Sequence, residues 1–363
     1  MRQVRVNICL IVLILLGVGS IMIYSASAIY AWNEWGDSFY YFKRHLFYLL
    51  CGIILMIGAM ALSHETMRRI AKPLFCVSLA LLILNFIPGI SHEAAGAKRW
   101  IRIGFIGFQP SEFIKISFIL YLADFIARRK KHINDFTIGI MPPLLALGVP
   151  ALLILLQPDL GTAISLVCIA VIMLFSAGLR SMYFVYAGLM SLPVLYILVF
   201  SIPYRRARIL AFLDPWSDPM GKGFQIIQSQ IALGLGGLFG QGLGQGKQKL
   251  FYLPAAHTDF IFSVIGEEMG IVGGIAIIAL FIFLIWQMVK VVKVSDNLFL
   301  RFVSIGIIAL IALEAVINIG VSIGMLPTKG LPLPFMSYGG SALVFNLVAM
   351  GLLLNASRSQ ELY

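Results

Sequence analysis

Apolar residues in this chain come in long continuous runs, neither alternating along strands nor striped along helices. The runs cover 7–28, 45–63, 72–88, 111–127, 138–156, 160–177, 183–202, 259–289, 302–325 and 335–356. Each approaches the roughly 20 residues that a helix needs to cross a hydrocarbon layer about 30 Å thick. In lipid only helices and closed barrels pair all their backbone N–H and C=O groups, and barrel strands would alternate. The pattern therefore predicts an all-α, polytopic integral membrane protein of about ten transmembrane helices. It reads as one membrane domain, 1–363, with one large loop at 203–258.

The polar residues between the runs set the orientation. With the N-terminus inside, the short inner segments hold Arg2, Arg5, Arg68, Arg69, Lys72, Arg128, Arg129, Lys130, Lys131, Arg180, Lys290, Lys293, Arg301 and Arg358. The short outer loops hold far fewer cations, so both termini are expected in the cytoplasm. Arg2 and Arg5, an apolar run and then Ala26-Ser27-Ala28 imitate a signal peptide with its cleavage site. The run from Ile8 to Tyr24 is long for that role, and a retained first helix is expected.

Composition agrees with the pattern: 60% of residues are hydrophobic and 12% charged, against roughly 45–50% and 25% in soluble domains. The net charge of +11 would raise nucleic acid as a partner, but no basic stripe with interleaved aromatics occurs, and none is expected to bind. Cys9, Cys51, Cys76 and Cys168 all fall within apolar stretches and read as small buried hydrophobes, with neither a disulfide framework nor metal-ligand spacing.

The excursion 203–258 falls on the outer side. It opens with Arg205, Arg206 and Arg208, continues through Asp214-Pro215-Trp216 and Asp218-Pro219, and ends glycine-dense from Gly234 to Gly246. Structureless loops of this length are uncommon unless functional, so short helices and part of a site are expected here. The glycines match neither GxGxxG nor a phosphate-binding loop: Gln245 follows Gly242-Leu243-Gly244, and Gly246-Lys247 lacks the following Ser/Thr. They read as flexible or closely packed backbone.

Ionisable residues in or beside the spans carry the chemistry, since each costs several kcal/mol unless paired or hydrated. Asp259 opens the eighth span at its outer edge, with Glu267 and Glu268 roughly 12 Å deeper at 1.5 Å per residue. Glu112 and Lys115, three apart, share a helix face in span four. Asp159 stands in the outer turn between spans five and six, and Glu314 and Asn318 lie on span nine. Cations gather in the outer loops as Lys98, Arg99, Arg102 and Lys329. Structural readings stand beside these: Asp159 and Asp259 as helix N-caps, Glu112 with Lys115 as a structural pair, Glu268 and Glu314 as buried hydrogen-bonded acids, and the basic residues with Trp100 as interface anchors. Jointly, cations and a carboxylate at one membrane face suit an anionic headgroup.

The motifs Gly96-Ala97-Lys98-Arg99-Trp100, Gln109-Pro110-Ser111-Glu112, Gln157-Pro158-Asp159-Leu160-Gly161, His257-Thr258-Asp259-Phe260-Ile261-Phe262 and Pro332-Leu333-Pro334-Phe335-Met336-Ser337-Tyr338-Gly339-Gly340-Ser341 occur in this order. In them the chain resembles the SEDS (shape, elongation, division, sporulation) family of ten-span peptidoglycan glycosyltransferases. The segments 248–254 and 326–330 are nearer to the division members than to the elongation members. Ala255 departs from the family pattern, where many relatives carry Glu, and this puts an auxiliary acid there in doubt.

The resemblance implies that lipid II is polymerised at the outer leaflet, with release of undecaprenyl pyrophosphate. It assigns Asp259 as the catalytic base. Candidate substrate-binding residues are Lys98, Arg99, Trp100, Gln109, Glu112, Lys115, Asp159, His257, Lys329 and Ser337, with Lys98, Arg99 and Lys329 facing the diphosphate. The activated donor needs no nucleotide; no cofactor is required by the sequence, and a divalent cation (Mg or Mn) is a candidate helper. Implied partners are a class B penicillin-binding transpeptidase and other division-complex proteins. A lipid II flippase drawing on Glu268 and Glu314, or a scaffold for a transpeptidase, are the rival readings.

Overall fold

The seventh apolar run forms a helix with no buried residue, while the last run forms one that is mostly buried. A helix apolar on every face is stable in lipid at either place, so the sequence specifies spans without saying which are central. The computed structural model, which describes residues 1–87, 91–94, 97–103 and 106–358, supplies that order.

A helix stands at each expected run: α1 (Arg2–Trp35), α2 (Tyr40–Ala61), α3 (His64–Leu84), α4 (Pro110–Arg129), α5 (Met141–Leu156), α6 (Leu160–Ser176), α7 (Ser181–Phe200), α10 (Ile261–Val294), α11 (Leu298–Ser322) and α12 (Gly340–Arg358). Seven are long and apolar enough to cross a membrane: α1, α2, α5 with the π turn Phe136–Ile140 before it, α7, α10, α11 and α12. Of the others, α6 is apolar but only 17 residues long, while α3 and α4 carry more ionisable residues. Several helices outrun their apolar runs because polar end turns continue beyond the hydrocarbon layer.

The bundle is centred on α11, which packs against α4, α6, α10 and α12; α12 in turn lies along α2, and α1 lies between α2 and α10. Apolar side chains gain little by leaving lipid for one another, so close backbone approach matters more than in water. At Gly351 of α12 an added Cβ would sit 2.4 Å from the Met56 carbonyl of α2, a distance only glycine allows.

Two short helices, α8 (Pro203–Leu213) and α9 (Phe224–Gly236), occupy the long loop, as its length led us to expect. The all-helical expectation needs one amendment. β1 (Ser91–Ala94), β2 (Ala97–Ile103) and β3 (Ile106–Phe108) form a small antiparallel sheet before α4. Trp100, Ile101 and Ile103 favour extended backbone, but a seven-residue strand is too short to read beside twenty-residue runs.

The residues of the apparent signal cleavage site lie within α1, where Ala26 and Ser27 are buried. Neighbouring Ser25 donates to both carboxylate oxygens of Glu268 at 2.7 and 2.9 Å.

Candidate active site

Asp259 lies in the turn that leads into α10, two residues before the helix begins. The N-cap of α10 is Phe260, with no side-chain cap, so Asp259 does not have the capping role open to it in the sequence. Its backbone oxygen accepts from Asn318 Nδ2 of α11 at 2.9 Å, and the same amide donates to the Leu331 oxygen at 2.8 Å. One buried amide thereby ties the Asp259 turn to the 327–331 loop. The Asp259 carboxylate accepts no hydrogen bond from any described residue, and its Oδ2 lies 3.4 Å from where a Cβ on Gly330 would stand.

Gly330 belongs to the lining of a cavity that also holds Arg99, Asp159, Arg205, Arg208 and Lys329. Arg99 comes from β2, Arg205 and Arg208 from α8, and Lys329 from the loop after α11, so four cations from three parts of the chain converge. Burial pushes the Asp259 carboxyl up to about 6, although the positive charges of Arg208 and Arg99 pull it back in part. Burial likewise holds the Lys329 ammonium below its usual range. Lys329 pairs with no described residue. Arg205 is lowered by burial and by the like charge of Arg99, so an arriving anion would relieve that repulsion.

Arg99 reads the turn before α6 through its backbone: Nε donates to the Gln157 oxygen at 3.1 Å and Nη2 to the Pro158 oxygen. Asp159 caps α6, accepting from Thr162 N at 3.1 Å and Thr162 Oγ1 at 3.0 Å, with Arg99 Nη1 at 3.9 Å. The capping reading of Asp159 thus holds in the geometry, and its carboxylate also borders the cavity.

Other sequence candidates lie elsewhere. Glu112 and Lys115 pair at 2.8 Å, buried in the bundle, and Lys115 reaches Glu314 at 2.5 Å while Asn346 donates to Glu314 at 3.0 Å. This closed set joins α4, α11 and α12. Gln109 caps α4 through its backbone, its N–H donating to Ser341 Oγ at 3.0 Å. Ser337 Oγ accepts from Leu333 N at 2.9 Å and closes the turn before α12. Trp100 stands over Gly107 of β3, where an added Cβ would meet its ring at 3.4 Å. His257 is ringed by Tyr30, Tyr41 and Tyr338, and burial lowers its imidazole to about 4, leaving it neutral. Lys98 is a β2 residue, and its side chain lies outside the described part of the structure.

Sequence reasoning missed Arg205 and Arg208 as site residues. The signal was the basic opening of the long loop, but charge type alone does not say which loop cations turn inward. Here carbonyls hold them: Leu198 and Leu155 accept from Arg205, and Thr328 accepts from Arg208 at 3.2 Å.

The glycine-dense stretch is closely packed at Gly236, Gly240 and Gly246. α10 breaks at Gly270, whose φ is +70°, and loop residues pair with the break: Gln241 N donates to the Glu267 oxygen at 3.0 Å, and Ile271 N to the Gly237 oxygen at 2.9 Å. A Cβ on Gly240 would sit 2.1 Å from the Glu268 oxygen. Glu267 accepts from Lys247 N at 2.7 Å, and Glu268 pairs with Lys249 at 2.6 Å. Of the two deep acids that a transporter would use, Glu268 is thus occupied in fastening the loop onto α10, and Glu314 is held by Lys115 and Asn346.

Residues 6–362 match the family model described as cell cycle protein, FtsW/RodA/SpoVE. The chain belongs to this family. It is 48% identical over 339 residues to a probable peptidoglycan glycosyltransferase FtsW of Geobacter sulfurreducens (strain DL-1 / KN400), covering 93% of this chain and 91% of that one. It is 45% identical over 349 residues to stage V sporulation protein E of Bacillus subtilis (strain 168), covering 96% and 95%. Among solved FtsW/RodA/SpoVE-like folds, a chain from a peptidoglycan synthase complex that coordinates polymerization and crosslinking superposes with a TM-score of 0.79 at 29% identity, covering 97% of both chains. With family membership, the resemblance carried by the Gln-Pro and His-Thr-Asp motifs holds, and the multi-pass membrane fold with it.

Proposed function

We propose that this FtsW/RodA/SpoVE family member is a peptidoglycan glycosyltransferase that polymerises lipid II during septal wall synthesis, at the outer face of the cytoplasmic membrane with both termini inside. The observation that carries the reading is Asp259: a carboxyl held near 6 by burial, spared from capping, beside a cavity of four cations.

The reaction needs a base and a receptor for departing negative charge. Asp259 takes the proton from the 4-hydroxyl of the acceptor sugar as that oxygen attacks the anomeric carbon of the donor. The bond from the anomeric carbon to the diphosphate oxygen breaks, and its electron pair leaves with undecaprenyl pyrophosphate. Arg99, Arg208 and Lys329 face the diphosphate, with Arg205 behind them. A base near 6 is largely ionised at neutral pH yet more basic than a free aspartate, the compromise that proton transfer favours.

Among the described residues no three His, Cys, Asp or Glu side chains gather as a metal site. Asp259 is the carboxylate at this site that would hold a divalent cation, which when bound would supply positive charge for the departing diphosphate. A class B transpeptidase is the expected partner, since the chain has no Ser-x-x-Lys motif with which to cross-link strands itself. The deciding experiment gives purified protein lipid II and reads product length on a gel; strands from the wild type and none from Asp259→Asn are expected.

A further inference from the structure

A second cavity, of about 450 Å³, lies along the same 254–258 segment and is of the opposite character. Tyr30 of α1, Tyr41 of α2 and His257 line it, with ring centroids 5.9 Å apart for Tyr30 and His257, 4.9 Å for Tyr41 and His257, and 6.0 Å for the two tyrosines. Tyr338 backs this cluster, 5.2 Å from Tyr41 and 5.7 Å from His257. Lys249, the charged residue of the lining, is neutralised by Glu268. One hollow is thus cationic and the other aromatic and neutral. A third lies between them, sharing Arg208 and Thr328 with the cationic cavity and Pro254 with the aromatic one, and it is itself cationic through Arg208 and Lys222.

We propose that the aromatic cavity is a saccharide subsite, holding pyranose rings of a glycan chain while its reacting end lies at Asp259. The inference rests on the polymerase reading above. The C–H hydrogens on the face of a β-linked pyranose carry partial positive charge and pack on the negative face of an aromatic ring, the same electrostatics that order aromatic pairs. Sugar hydroxyls also need partners, and neither the Tyr30 hydroxyl nor the His257 ring nitrogens bond any described residue. A chain of linked sugars ending in a diphosphate complements this arrangement, its neutral length against the aromatic cavity and its anionic end against the cations. Tyrosines that serve only as membrane-interface anchors would turn outward to headgroups; these are gathered around a cavity.

The probe is chitohexaose, a soluble β-1,4-linked N-acetylglucosamine oligomer, titrated into the purified full-length protein by calorimetry. Wild type, Asp259→Asn and Lys329→Gln are expected to bind it alike, because the subsite is separate from the base and the cations. Tyr41→Phe keeps the ring and should also bind. Tyr41→Leu and Tyr30→Leu each lose a ring and should bind about three- to tenfold more weakly. Tyr30 is exposed, so its variant tests the idea even if Tyr41→Leu unfolds. Absent binding to the wild type, or equal binding by Tyr30→Leu, overturns the subsite and leaves an interfacial anchor. Since no turnover is needed, these outcomes are read independently of whether lipid II is polymerised.

Discussion

Asn318 donates its amide to the backbone oxygen of Asp259 at 2.9 Å, from a helix 59 positions along the chain. Its second bond, to Leu331, makes it the joint between the proposed base and the loop that carries Lys329. Asn318→Ala should therefore cut glycan synthesis strongly, by about tenfold or more, because a misplaced catalytic group is costly even when chemically intact. Asn318→Asp keeps the shape but presents an acceptor to two carbonyls and should do no better. Wild-type rates from Asn318→Ala would show that Asp259 is held in place without the joint.

Asp259→Asn should abolish polymerisation, with a loss on the order of a hundred- to ten-thousand-fold, while melting temperature and membrane insertion stay near wild type. Asparagine preserves the shape and the backbone bond from Asn318. Normal strand synthesis would remove the assigned base.

The rate should depend on pH through the same group. A base that must be ionised, with its carboxyl near 6, gives activity falling about tenfold per pH unit below that value and level above it. Arg208 stabilises the ionised form, so Arg208→Gln should move the acid limb to higher pH. An acid limb near the free aspartate value of about 3.9 would contradict the burial argument.

Two lysines should separate by readout. Lys115 is buried between Glu112 and Glu314, so Lys115→Met leaves two buried acids without their cation and should cost about 3–5 kcal/mol, read as a lower melting temperature in detergent. Lys329 pairs with no described residue; Lys329→Gln should change stability by about 0.5 kcal/mol or less, yet weaken competition by inorganic pyrophosphate in the polymerase assay.

Orientation is open to chemical labelling. In a variant with Cys9, Cys51, Cys76 and Cys168 replaced, Lys222→Cys in the exposed part of the long loop should react with an impermeant maleimide added outside, and Lys130→Cys should not. The reverse pattern would place the cavity on the cytoplasmic side and sink the lipid II mechanism.

The sequence by itself determined the spans, since a run of twenty apolar residues has one low-energy conformation in lipid, and ordered motifs such as Gln157-Pro158-Asp159 and His257-Thr258-Asp259 marked the family. Through that resemblance it also pointed to Asp259, Arg99 and Lys329. Only the tertiary structure decided how ionisable residues pair. Lys115 meets Glu112 within its own helix, but the second acid that encloses it, Glu314, comes from distant α11, whereas Lys329 faces a cavity walled by other distant segments. Arg205 and Arg208 enter the site because α8 folds them back onto carbonyls of other segments. The glycines of the long loop owe their role to a break in α10 at Gly270 that apolar periodicity does not reveal. Local pattern follows from each residue's own solvent preference, whereas a site depends on which distant elements meet, and that is settled by packing.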